Sequence, residues 1–270
     1  MTETAPQLSS PYAGEGLISD ESYLRRLPVA LTVEERMRCD AIVTAADIIT
    51  QSFGLLRQFT VQAKAETENF NNGLRAFLLS LCWTIVDQLH AIRQLLKAKK
   101  QGPLTLAFME ASAAATLLRN AMDHLAGNLK NVSSTNGHKN PLFGSLSYFH
   151  TPDAISATSG GEIITIMSGA LHGKDLFPMI NPVGQSFTLP TGLFTFSAFG
   201  QQLEFGQVIG TLRELLRKME SSMESDIRKQ VEERAKTPEE IEQAMATLGG
   251  GLVLVASISF VCGEESGHPE

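Results

Sequence analysis

The chain has 270 residues, 43% of them hydrophobic, so it can bury a sizeable core and is not disordered along its whole length. Its 22 Lys and Arg stand against 29 Asp and Glu, a formal net charge of -7, which excludes a protein whose entire surface clings to nucleic acid but leaves room for a local basic site. The three cysteines, Cys39, Cys82 and Cys262, lie far apart with no Cys-x-x-Cys pair, which argues against a disulfide framework or a cysteine-rich zinc site and fits a reducing compartment.

Residues 1–31 are rich in Ser, Pro, Gly and Glu and read as a flexible or loosely docked N-terminal arm. Met1 to Gly16 carries neither a basic n-region nor an apolar h-region, so no secretory signal is expected. The apolar run Leu252 to Val261 contains Ser257 and Ser259 and is too short to span a bilayer. The expectation is a cytoplasmic protein without membrane association.

Thr32-Val33-Glu34-Glu35 has the form of a capping box and opens a first helix, continued by Met37, Val43, Ile49, Phe53, Leu56 and Phe59. A second helical pattern runs from about Phe70 to Lys100, with Leu74, Leu78, Leu81, Ile85, Leu89, Ile92 and Leu96 three or four residues apart, and Gln101-Gly102-Pro103 stops it. Within it Cys82 and Trp83 read as core residues. A third helix is predicted from Leu104 to Asn131, on the stripe Phe108, Ala111, Ala115, Leu118, Met122, Leu125 and Leu129.

After Lys130 the character changes. Residues 131–141 read as a loop, and short strands are predicted over Glu162–Ser168, Asp175–Ile180, Ser186–Leu189 and Leu193–Phe199, the last by its alternation. A long helix follows from Phe205 to Ala235, apolar in its first half and dense in charge in its second. Thr237-Pro238-Glu239-Glu240 caps a shorter helix, Gly249-Gly250-Gly251 ends it, and Leu252–Val261 is a predicted last strand. Segregated helices and strands give an α+β class rather than a doubly wound sheet. The expected division is an arm at 1–31, a helical bundle at 32–131, and a β-rich region with the long helix at 132–270.

The third helix carries Arg119-Asn120-Ala121-Met122-Asp123-His124. Asn120 and His124 lie one helical turn apart on one face, and Arg119 starts about 140° from His124 with a side chain long enough to swing towards the same cleft. An arginine can grip phosphate oxygens in a bidentate way, and a histidine can move a proton near neutral pH. The plain alternative is an ordinary helix face on which Arg119 pairs with Asp123 at i,i+4. Asp87 on the preceding helix is a candidate to hold the arginine or histidine in place. Arg93, Lys97, Lys99 and Lys100 cluster at the end of that helix, where cations either steer a polyanion or simply complement the helix dipole.

This Arg-Asn-x-x-x-His frame, late in the third helix of a predicted bundle, resembles the signature of the HEPN family. The likeness covers roughly residues 32–131 and extends to the neighbouring helix with Trp83, Asp87 and His90. A weaker likeness, at Pro141 to Tyr148, is to uncharacterised bacterial members. The resemblance implies an N-terminal HEPN-like helical bundle followed by a small antiparallel sheet. It also implies a homodimer in which the motifs of two subunits face one another. The activity implied is metal-independent RNA cleavage. His124 would be the general acid/base, Arg119 would stabilise charge on the phosphate, Asn120 would orient either, and Asp87 and Asp123 would support them, with no cofactor and no metal. A cognate antitoxin or other protein is an implied partner. The rival expectation is a non-catalytic interaction or scaffold protein of the same fold that binds a protein partner or a nucleotide.

Two further patterns carry less. Gly169 to Asp175 is a residue short of a phosphate-binding loop and has Asp175 where Ser or Thr should stand. His138, His150 and Asp153 lack metal-ligand spacing.

Overall fold

A computed structural model describes residues 16–27, 31–65, 72–97, 102–127, 143–150, 162–168, 194–233 and 237–241. The first helix, α1, spans Val33–Ala65. It starts where the capping box requires: the Thr32 amide donates to the Glu35 carboxylate and the Glu35 amide to Thr32 Oγ1, each at 3.2 Å. Its segment Val33–Thr60 is long and apolar enough, by length and composition, to cross a membrane. Here its residues Ile42, Val43, Ile49 and Leu56 are buried in the protein's own core, as in a core helix.

The second helix, α2, covers Asn72–Lys97 and buries Leu78, Leu81, Cys82, Ile85, Val86, Leu89, Ile92 and Leu96. Each such side chain contributes about 1.5–3 kcal/mol on leaving water. It runs antiparallel to α1, since Phe59 near the end of α1 meets Phe77 near the start of α2 edge to face, with centroids 5.2 Å apart. Cys82 is fully buried, which pushes its thiol well above the usual range, as a core cysteine requires.

Part of the expected arm is packed onto α1. Leu17, Ile18 and Leu24 are buried, the Leu17 amide donates to Thr50 Oγ1, and Arg25 makes a two-pronged ion pair with Asp47 at 2.6 and 2.7 Å. Three apolar residues scattered among Ser, Gly and Glu suffice because α1 offers them a groove and a counter-charge.

The predicted third helix is two helices. α3 spans Pro103–Ala111 and α4 spans Ala113–Asp123, with Ser112 as the break. The stripe of apolar residues is continuous across 112, so periodicity alone does not reveal the interruption. The buried Ser112 hydroxyl turns back on the Phe108 carbonyl, and Arg93 of α2 donates into the same place, to Ser112 Oγ at 2.8 Å and to the Met109 carbonyl. Arg93 thereby gives the Met109 carbonyl a partner at the end of α3, while the Phe108 carbonyl accepts both the amide and the hydroxyl of Ser112. A further interruption falls at His124, after which helical backbone covers 125–127. The predicted stretch 128–131 lies outside the described residues.

The sheet has four antiparallel strands in the order β2-β1-β3-β4: β1 Ser145–His150, β2 Glu162–Met167, β3 Phe194–Ala198 and β4 Gln201–Glu204. Strands β2 and β3 match the sequence expectation closely; β1 and β4 fall outside the predicted strands. The expected strands at Asp175–Ile180, Ser186–Leu189 and Leu252–Val261 lie outside the described residues. Ser147 of β1 pairs with Thr165 on one side and Thr195 on the other, so β1 is central. β3 ends at Ala198, and Phe199 with Gly200, at φ 50° and 73°, form a two-residue turn into β4. Positive φ at both positions is the geometry that matches strand twist. Phe199 adopts it while its ring lies 6.2 Å from Trp83.

α5, Phe205–Glu232, follows β4 directly, with Glu204 as N-cap accepting from the Gly206 and Gln207 amides. Its first half packs Phe205, Val208, Ile209, Leu212, Leu215 and Leu216 into the core. Its charged second half is not wholly solvated, because Ile227 is buried there. Thr237 caps a short turn as expected, its Oγ1 accepting from the Glu240 amide at 3.3 Å.

One core joins bundle and sheet. Phe53 of α1 lies edge-on to Phe194 of β3 and Phe205 of α5, at 5.4 and 6.4 Å, and Trp83 of α2 edge-on to Phe196 of β3 at 5.2 Å. Tyr148 of β1 donates its hydroxyl to the Thr60 carbonyl at 3.3 Å, and burial pushes this phenol up to about 12. The architecture is α+β, mostly helical, with a small antiparallel sheet and a long helix packed on it.

Candidate functional site

The polar residues of α2 and α4 meet along one seam. On α2, Asp87, His90 and Arg93 recur every three residues, with Gln94 and Lys97 one turn beyond, on a helix otherwise devoted to the core. α4 runs antiparallel to α2 and presents Ser112 at its start, then Thr116, Arg119 and Asp123.

At one end of the seam Arg119 holds two carboxylates. Its Nε lies 3.4 Å from Asp87 Oδ1 and its Nη1 3.1 Å from Asp123 Oδ1, with the guanidinium side chain 38% exposed. Both the pairing expected within the helix and the support expected from α2 are therefore present at once. Asp87 Oδ1 is buried and receives no hydrogen bond among the described residues, so the arginine's charge is its main compensation. Burial drives the Asp87 carboxyl up from the usual range, Arg119 opposes this and Asp123 adds to it.

The other two motif residues stand apart from this pair. Asn120 is exposed, and His124 is exposed as the C-cap of α4, at φ -105° and ψ 26°, its amide donating to the Asn120 carbonyl. No hydrogen bond or ion pair joins the side chains of Asn120 or His124 to Arg119 among the described residues. The structure thus gathers Arg119, Asp87 and Asp123, and leaves Asn120, next to Arg119, and His124, one turn further on, exposed at the surface. Sequence periodicity placed His124 within the helix; the end of the helix moves it off that trajectory.

The middle and far end of the seam are hydrogen-bonded. His90 Nδ1 and Arg93 Nε both meet Thr116 Oγ1, at 3.3 and 3.0 Å, and the Gln94 amide nitrogen lies 3.2 Å from His90 Nε2. Since an amide nitrogen only donates, His90 accepts through Nε2 and carries its proton on Nδ1 in this arrangement. Its ring is held below the ordinary histidine value, by burial first and then by Lys97, Arg119 and Arg93, with Asp87 opposing. Burial likewise lowers the Arg93 guanidinium. In the sequence Arg93 stands only as one of a terminal cation cluster. The available signal was a polar residue every third or fourth position on an apolar helix.

Lys99, Lys100 and the resembling segment 169–175 lie outside the described residues, as do His138 and Asp153. Among the described residues no three His, Cys, Asp or Glu side chains gather as a metal site would need. Comparison with protein-family models, with curated proteins and with solved structures finds no match to this chain.

Proposed function

We propose that the α2–α4 face is the site of a metal-independent endoribonuclease of HEPN type, acting in the cytoplasm as a homodimer. The observation that carries this reading is Arg119, half-exposed and tethered across the seam by Asp87, so that its guanidinium is oriented before a ligand arrives. In the reaction, the ribose 2′-oxygen attacks phosphorus as its proton passes to a base, and the bond to the 5′-oxygen breaks as that oxygen gains a proton. The requirement for a 2′-hydroxyl restricts such cleavage to RNA. His124 supplies or takes a proton, its exposure leaving it reachable by substrate and by a second subunit. Arg119 stabilises the negative charge building on phosphorus oxygens, and Asn120, on the same exposed turn, orients the phosphate.

A second reading, a scaffold that binds a protein or nucleotide without cutting RNA, is favoured by the same ion pairs. Asp87 and Asp123 already balance Arg119, so a phosphate competes with two carboxylates for one cation. Incubating total RNA and tRNA with the purified chain in EDTA separates the two. The Arg119→Ala/His124→Ala double variant is run beside it, and the ends are examined for 2′,3′-cyclic phosphate. Cyclic-phosphate ends made by wild type and lost in a folded double variant support the nuclease. Absence of cleavage, or equal cleavage by the variant, hands the site to the scaffold reading.

A further inference from the structure

The far end of the seam contains a charge that the proposed chemistry leaves unused. Arg93 is 9% exposed, yet its partners are all neutral oxygens: the Met109 carbonyl, Ser112 Oγ and Thr116 Oγ1. No carboxylate reaches it within ion-pair distance among the described residues, and Glu110, beside Met109, is exposed and makes no pair with it. A buried cation is costly unless it is matched. The C-terminal end of α3 supplies about half a negative charge, so part of the guanidinium's charge remains. Around it stand His90, one turn earlier on α2 and bonded to the same Thr116 hydroxyl, and the exposed Lys97, one turn later. Asp87 and Asp123 lie at the opposite end of the seam, where Arg119 holds them. The charge is therefore uneven: two carboxylates and one arginine at one end, Arg93 and Lys97 at the other, with the neutral His90 between them one turn from Asp87.

We propose that the stretch of α2 from His90 to Lys97, backed by the buried Arg93, is a binding subsite for a phosphate group of a nucleic-acid strand. The Gln94 amide and Lys97 present donors at the surface, His90 adds one at Nε2 once it is protonated, and Arg93 acts from behind as a fixed charge. The subsite lies along α2 from Asp87 by roughly one to three turns, at about 1.5 Å per residue. A strand lying on the seam thus sets one phosphate at Arg119 and a neighbouring one at this end. Binding draws a proton from solvent onto His90: the imidazole accepts from Gln94 when empty, and as imidazolium it donates from Nε2 to the phosphate while the Gln94 amide moves off the ring and donates to the phosphate in its turn. The identity of the strand as RNA rests on the reading given under Proposed function; the subsite itself does not.

The test follows the His90 ring nitrogens by NMR in the full-length chain through a pH titration. It is run alone, with inorganic phosphate, and with a 2′-O-methyl RNA dinucleotide that cannot be cut. The expected result is a saturable rise of about one pH unit in the His90 midpoint, larger with the dinucleotide than with phosphate. The exposed Lys97→Ala variant should weaken ligand affinity about fivefold. A His90 midpoint indifferent to both ligands in the folded protein overturns the subsite, whether or not the chain cuts RNA. A response to ligand in a protein inactive towards RNA supports the subsite and removes the nuclease. A response unchanged in Lys97→Ala overturns the assignment of this end of α2.

Discussion

Replacing Arg93 with methionine tests whether this one side chain holds the α3–α4 break in place. The change removes donors to the Met109 carbonyl, Ser112 Oγ and Thr116 Oγ1. Hydrogen bonds from a charged donor contribute about 1.5–3 kcal/mol each before losses. They do not add in full, because the desolvation cost of the guanidinium disappears with it. Ser112 also keeps its own bond to Phe108. A net loss of about 3 kcal/mol is expected, equivalent to roughly 6–12 °C in Tm for a chain of this size. Arg93→Lys retains the charge but cannot span Thr116 and Met109 together, so it should lose about half as much. Urea and thermal melts of the three proteins, analysed with a common slope, decide the matter. Methionine within about 0.5 kcal/mol of wild type would refute the claim that Arg93 secures the break, and lysine equal to wild type would show that charge alone matters.

Two further perturbations follow from the same structure. His90 is held below the ordinary value of about 6.5, so the unfolded chain binds the proton more readily than the folded one between these values. Stability should therefore rise with pH through that window and fall on acidification, and His90→Gln should flatten this part of the curve of urea midpoint against pH; parallel curves would show that another group sets the slope. Gly144 has φ 88°, and a Cβ there would lie 2.7 Å from a Phe196 ring carbon and 2.9 Å from the Ser197 carbonyl oxygen. Gly144→Ala should cost about 2–3 kcal/mol through strain and overpacking, and a melt matching wild type would mean that the turn before β1 can relax.

What could be read from the sequence followed local chemistry. The Thr32–Glu35 box, the α2 stripe, the alternation of Phe194, Phe196 and Ala198 and the cap at Thr237 each depend on residues a few positions apart, and each corresponds to an element. The break at Ser112 is bonded by Arg93, nineteen residues earlier, and no window of periodicity contains that information. The docking of Leu17, Ile18 and Leu24 depends on a groove in α1 and on Asp47, so composition alone suggested an arm. β1 alternates weakly, and it becomes a strand because β2 and β3 flank it. At the candidate site the Arg119–Asp123 pair was legible as an i,i+4 spacing, and Asp87 as a carboxylate interrupting an apolar helix. The exposed C-cap position of His124 was not, because where α4 ends is not marked by a glycine or proline at that point.

The aromatic contacts that join Phe53 and Trp83 to the sheet and α5 bear on how the chain can be divided. A polypeptide ending near residue 131 would keep α1 to α4 but present Phe53 and Trp83 to water where β3 and α5 had covered them. Such a fragment is expected to self-associate rather than fold as an independent bundle. The change in composition near residue 131 is thus a seam in the sequence and not a place to cut, and the helical half is expected to reach its native form in company with the strands that are synthesised after it.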